Sequence, residues 1–303
     1  MSDICIVSDS KPGHFNQSLG LVEAIQRIDA SLTYDVCPPV SLFQLARLVI
    51  ARLFSSSVKT HTSGVKVFVG AGHQVHFTLL IYGWLSGAKT IVLMKPSLPC
   101  RWFDLCLIPE HDQPTENAYV IETWGALNRI LPSEKQAASG LILIGGPSRH
   151  FDWNDANVLA QLGDVLAQNQ SIQWVLTTSR RTPDSFLVGL FAAGLSVEVV
   201  PYEQTDKDWL PDKLAKAEHC WVSEDSVSMV YEALTAGCRV GLIELGNIGN
   251  KQSEGRVVRG LARLRASGRV RTLKQALLSE DKSVPALAEA DRCAQQIIKK
   301  GWL

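Results

Sequence analysis

No stretch of this chain stays apolar for the ~18 residues that a membrane-spanning helix requires, and no repeat or low-complexity tract occurs. Its seven cysteines (Cys5, Cys37, Cys100, Cys106, Cys220, Cys238, Cys293) are scattered, odd in number, and never form a C-x-x-C pair. That excludes a disulfide framework or a cysteine zinc site and points to buried thiols in a reducing compartment. Neither sign of charge is in excess, since 30 basic residues face 30 acidic ones. A nucleic-acid module needs a basic face, so no nucleic-acid partner is expected. The opening MSDICIVSDS has no basic n-region and no apolar h-region. The expected location is cytoplasmic, at most peripheral on the inner face of the membrane. Neither G-x-G-x-x-G nor G-x-x-x-x-G-K-[ST] is present, which removes the dinucleotide fingerprint and the P-loop.

What remains is a globular pattern. With 303 residues, of which 46% are hydrophobic, about two domains are expected. Short apolar runs alternate with helical periodicity, and each run ends in a polar or glycine-containing cluster. The fold class that follows is α/β, with two Rossmann-like parallel-sheet domains facing a cleft. The polar stretch Leu131–Ser139 reads as the linker. It separates an N-terminal domain (1–131) from a C-terminal one (140–283), with a terminal helix (284–303) that folds back on the first.

In the first half, the strand Ile4–Ser8 runs into Asp9–Gln17, read as a polar loop with a Pro-Gly turn before a helix Ser18–Ile28. Later strands end at His73 with His76, at Lys95, and at His111 with Asp112. Parallel strands bring such ends to one edge. His14, His73 and His111 are thus candidates for catalysis, with His14 as general base or acceptor contact. Taken singly, His14 is equally a loop histidine beside a helix start. The histidines come from different loops without ligand spacing, so no metal is expected. Ser41–Phe54 reads as an unusually apolar helix with Ser41, Gln44, Arg47 and Arg52 on one polar arc. It suits either a core position or a membrane interface.

In the second half, Gly145-Gly146-Pro147-Ser148 follows one strand and Thr177-Thr178-Ser179-Arg180-Arg181-Thr182-Pro183 follows another. Hydroxyls and guanidiniums at a strand end suit a diphosphate, although Arg ion pairs within a solvated loop would read the same way. Ala217–Leu245 reads as strand, turn, helix, strand. Ser223–Ser226 supplies capping oxygens, Val227, Val230, Tyr231 and Leu234 form the buried face, and Gly237 stops the helix. Asp225, Ser228 and Glu232 then fall on one stripe. A helix N-terminus suits phosphate, and a carboxylate further along suits ribose hydroxyls. An ordinary capped helix with a surface Glu has the same pattern, and Asp225 would repel a diphosphate unless cations stand beside it. Asp206-Lys207-Asp208 has the D-x-D shape but reads as a solvated loop.

The segments SDSKPGHFNQSLGL, GAGH, PSLPCRWFDL, ETWGALNRI, LIGGPSRH, TTSRRTP and EDSVSMVYEALTAGC together resemble bacterial relatives of a plant mitochondrial-fission factor of the ELM type. SEDSVSMVYEALTAGC is also similar to the donor segment of GT-B nucleotide-sugar glycosyltransferases. The resemblance implies a metal-independent glycosyltransferase that takes a nucleotide-diphosphate sugar as substrate and needs no cofactor. A lipid-linked or envelope acceptor is its expected partner. Gly13, Asn16, Gly146, Ser148, Thr178, Ser179, Arg180, Arg181, Asp225, Ser226, Ser228, Met229 and Glu232 are the expected contacts. A non-catalytic adaptor of the same shape and a nucleotide-sugar epimerase remain open as alternatives, as does the oligomeric state.

Overall fold

A computed structural model describes residues 2–54, 64–247, 255–276 and 285–303. The chain forms two compact units, Met1–Arg129 with Ala288–Leu303, and Ile130–Leu287.

The first unit runs β1 (Ile4–Val7), α1 (Pro12–Ile28), β2 (Tyr34–Cys37), α2 (Leu42–Phe54), β3 (Val67–Ala71), α3 (His76–Ser86), β4 (Lys89–Leu93), β5 (Leu105–Pro109) and β6 (Val120–Thr123). The second runs β7 (Gln136–Leu143), β8 (Phe151–Asp152), α4 (Asp155–Gln168), β9 (Gln173–Thr177), α5 (Asp184–Ala192), β10 (Glu198–Val200), α6 (Trp209–Lys216), β11 (Ala217–Ser223), α7 (Val227–Ala236), β12 (Arg239–Ile243), β13 (Gly246–Asn247), α8 (Arg256–Ala266), β14 (Val270–Thr272) and α9 (Leu273–Ala276). The final helix α10 (Glu289–Lys299) returns to the first unit.

The first sheet is parallel, in the order β2-β1-β3-β4-β5-β6. Its inner strands are apolar without alternation and buried throughout, as strands covered on both faces must be. The edge strand β2 exposes Tyr34 and Val36. On one face Leu21 and Ile25 of α1 join Cys293, Ala294 and Ile297 of α10 in a single cluster with Ile4, Val67 and Ile91. The α10 helix is also tied polarly. Arg27 Nη2 donates to Asp291 at 2.6 Å, and Glu289 accepts the Trp124 N–H at 2.9 Å.

Two sequence readings change here. The helix α1 begins at Pro12 and not at Ser18, so the supposed loop supplies its first turns. Proline at the first helical position costs no hydrogen bond, because that N–H would be unpaired anyway. In α2, Arg52 is partly buried, while Leu42, Phe43, Ile50 and Leu53 are exposed. Ser41, Gln44 and Arg47 of the polar arc are exposed, and so is the apolar face beside it. Among the described residues no helix is long and apolar enough to cross a membrane.

The second sheet has the order β10-β9-β7-β11-β12-β14, with all recorded pairs parallel. β7 begins at Gln136, inside the stretch read as linker. The terminal helix read from residue 284 begins at Glu289, and residue 284 lies outside the described residues. Asp206 accepts the N–H groups of Asp208 and Trp209 at 3.0 and 2.8 Å, so the D-x-D pattern is a turn leading into α6.

Candidate functional site

Three strand ends of the second unit are knitted together. After β7 comes Gly145-Gly146, after β9 comes Ser179–Thr182, and after β11 comes Asp225-Ser226. The Gly145 N–H donates to Ser223 Oγ at 2.7 Å and the Gly146 N–H to Asp225 Oδ2 at 3.0 Å. A Cβ on Gly145 would collide with the Asp225 carboxylate and the Ser226 hydroxyl, and one on Gly146 with the Arg181 carbonyl. Glycine is needed at Gly145 so that the Asp225 and Ser226 side chains can approach, and at Gly146 so that backbone can approach backbone. Ser179 Oγ donates to the Gly145 carbonyl at 3.0 Å, and Thr182 Oγ1 accepts the Ser179 N–H at 2.9 Å.

Arg181 is the clamp. Its Nη2 lies 2.6 Å from Asp225 Oδ2 and 3.1 Å from Ser226 Oγ, while Nη1 donates to the Gly146 and Pro147 carbonyls at 3.1 Å. Arg181 therefore neutralises Asp225 through Oδ2, while Asp225 Oδ1 is buried without a hydrogen-bond partner among the described residues. The Asp225 side chain is buried, so its charge needs this partner. Thr178 and Ser148 are also occupied within the chain. Thr178 accepts the Tyr202 N–H at 3.1 Å, and Ser148 accepts those of His150 and Phe151 at 3.3 and 3.2 Å.

The groups left over are more informative. α7 starts at Val227, so Asp225 lies outside it and the expected stripe reduces to Ser228 and Glu232. Ser226 occupies the cap position without capping, because its hydroxyl is turned to Asp225 at 3.0 Å. Among the described residues, the N–H groups of Val227, Ser228 and Met229 have no acceptor. They carry the partial positive charge of a helix start. Arg180 is exposed and unpaired among the described residues, and Ser228 is exposed. Glu232 is partly buried without a hydrogen-bond partner among the described residues, and burial pushes its carboxyl up to about 7. Gly237, with φ of 86°, ends the helix as the pattern required.

In the first unit, His14 sits in the first turn of α1 with its ring over Gly72, whose φ is 86°. His14 Nδ1 lies 2.9 and 3.1 Å from the two oxygens of Asp9, a buried side chain that sequence reasoning missed. Burial alone would raise the Asp9 carboxyl, but the hydrogen bonds from His14 and the Lys11 N–H outweigh it and hold it below its usual range. An ionised Asp9 accepts, so Nδ1 carries the proton and Nε2 is left for a ligand. The arrangement is an imidazole oriented by a buried carboxylate.

His73 is exposed at the end of β3 and His111 follows β5. β1 and β3 are neighbours, whereas β5 is three strands from β1, about 14 Å. His111 thus stands apart from His14. His76 is buried, with Nδ1 3.2 Å from Ser97 Oγ, and burial together with His73 lowers its pKa. Gly13 and Asn16 are exposed on the first turns of α1.

Residues 12–300 match the family model described as mitochondrial fission ELM1. The uncharacterized protein RP120 of Rickettsia prowazekii (strain Madrid E) is 20% identical over 288 residues, covering 78% of this chain and 81% of that protein. Among solved structures, Acinetobacter baumannii MurG superposes with a TM-score of 0.53 at 10% identity, covering 99% of this chain and all of that one. The UDP-GlcNAc 2-epimerase of Methanocaldococcus jannaschii gives 0.57 at 10% identity, covering 98% and 99%. At these identities the likeness is one of fold, the GT-B type.

Proposed function

From the chain's membership of the mitochondrial fission ELM1 family and from its second unit, we propose that it binds a nucleotide-diphosphate sugar and acts as a metal-independent glycosyltransferase. The observation that carries this reading is Glu232. A carboxylate without a partner, covered enough to be raised to about 7, is costly unless a ligand uses it. It lies six residues beyond Ser226, about 9 Å along the helix, a spacing suited to a ribose at Glu232 and a diphosphate at the open N–H groups of Val227–Met229. Arg180, unpaired among the described residues, is a cation that would meet the diphosphate. Arg181 and Asp225 hold the cradle in shape and do not touch the ligand. The dyad of Asp9 and His14 in the first unit is the base that would activate an acceptor hydroxyl.

An epimerase would use the same donor seat, and the fold of the M. jannaschii protein keeps that reading alive. The two are separated by product, a new glycoside or an isomerised sugar nucleotide. The exposed Leu42, Phe43, Ile50 and Leu53 of α2 favour an acceptor that is lipid-linked, or a peripheral contact with a membrane surface. The same face is what the adaptor reading would use.

A thermal-shift screen against UDP, GDP, CDP and ADP, with and without magnesium, tests the proposal. UDP is the first candidate because the epimerase of like fold is named for UDP-GlcNAc. A ligand at ~100 Kd should add about 2.7 kcal/mol. One nucleotide is expected to raise the Tm equally with and without magnesium. No shift with any of them would turn the reading to the adaptor.

A further inference from the structure

Beyond the second-unit cradle, the first unit has an open cavity of about 390 Å³ beside the C-terminal ends of β4 and β5. Small-molecule sites are commonly about 300–1,000 Å³. Pro99 and Ile108 give it an apolar wall, and Lys95, Arg101, Thr115 and Tyr119 a polar one. Each of these polar side chains has a hydrogen to donate. The Arg101 guanidinium and the hydroxyls of Thr115 and Tyr119 have no partner among the described residues. Lys95 Nζ donates to the Asp112 carbonyl at 3.0 Å, which fixes the ammonium and leaves further hydrogens to give.

The frame is built. Met94 has φ of 70°, and its N–H bonds the Leu107 carbonyl at 2.9 Å, so the backbone bends sharply just before Lys95. On the opposite loop, Asn117 Nδ2 donates to the Thr115 carbonyl at 3.0 Å and its Oδ1 accepts the Tyr119 N–H at 2.9 Å. No carboxylate lines the cavity; Glu116 lies in the same loop but outside the lining.

From one held ammonium, one unpartnered guanidinium and free hydroxyl donors facing an apolar wall, we infer that this cavity binds a small organic anion: a phosphate or carboxylate carried on an apolar body. The inference does not rest on the nucleotide reading. Charge-assisted hydrogen bonds from Arg101 and Lys95 would hold the anion.

Isothermal titration calorimetry of the intact protein with phenyl phosphate and with benzoate tests it, using wild type, Arg101→Gln, Lys95→Gln and Arg180→Gln. Binding of at least one probe is expected, weakened ~tenfold in Arg101→Gln and in Lys95→Gln and unchanged in Arg180→Gln. The tighter probe names the anionic group. Arg101 is unpaired, so its variant should melt as wild type does. Absence of binding by both probes would overturn the inference. So would binding that survives Arg101→Gln and is lost in Arg180→Gln, since the anion would then be in the second unit.

Discussion

Arg181 and Asp225 come from turns 44 residues apart and meet at 2.6 Å, with the Gly146 N–H on the same carboxylate oxygen at 3.0 Å. One of the two adjacent arginines at the end of β9 is thereby used to hold the strand-end turns together. Under the proposed reading, Arg180 and the N-terminus of α7 form the positive end of the seat.

If the pair is a clamp, removing either member should destabilise the fold. Asp225→Ala strands a guanidinium and a buried N–H, and Arg181→Ala strands a buried carboxylate. Urea denaturation should show a loss of about 1–3 kcal/mol for each, kept below the value for a fully buried pair because Arg181 is partly in solvent. Losses within ~0.5 kcal/mol, the range of ordinary surface changes, would contradict the clamp.

Glycine should matter at Gly145 and not at Gly13. Gly145→Ala drives a methyl into the Asp225 carboxylate and should cost about 1–3 kcal/mol or more. Gly13 is in a helix with nothing near its missing Cβ, so Gly13→Ala should stabilise by up to about 1 kcal/mol. Comparable Tm values for the two variants would refute the close approach.

Glu232 sets a pH dependence with a defined sign. Its folded pKa, about 7, is above the ordinary 4.5. The folded state therefore holds a proton that the unfolded chain releases, and the contribution present below pH 4.5 is lost as pH rises through about 7. Glu232→Gln should be more stable than wild type at pH 8, by on the order of 1–2 kcal/mol, and nearly equal to it at pH 4.5. Melting curves at both values check this. Equal curves at pH 8 would mean that the carboxylate is well solvated.

The sheet strands were readable because a parallel sheet buries whole apolar runs, as in Val67–Ala71 and Leu105–Pro109. The α7 helix was readable from its period and from Gly237. β2 gave no signal, since three of its four residues are exposed on an edge. The start of α1 was hidden because Pro-Gly reads as a turn, although proline fits a first helical turn. Glu232 and His14 stood out in the sequence by residue type and spacing alone. Asp9, five residues before His14, did not, because only the helix start brings it under the ring. The fate of Arg181 was equally unreadable. Which of two adjacent arginines is paired depends on contacts between turns far apart in sequence.

The most direct test of the central claim is calorimetric titration with UDP and its 2′,3′-dideoxy analogue, in wild type and Glu232→Ala. If Glu232 holds the ribose hydroxyls, wild type should prefer UDP by about 1–3 kcal/mol, and the variant should bind both equally at the weaker affinity. The same preference in both proteins, or wild-type affinity for UDP in the variant, would contradict the account.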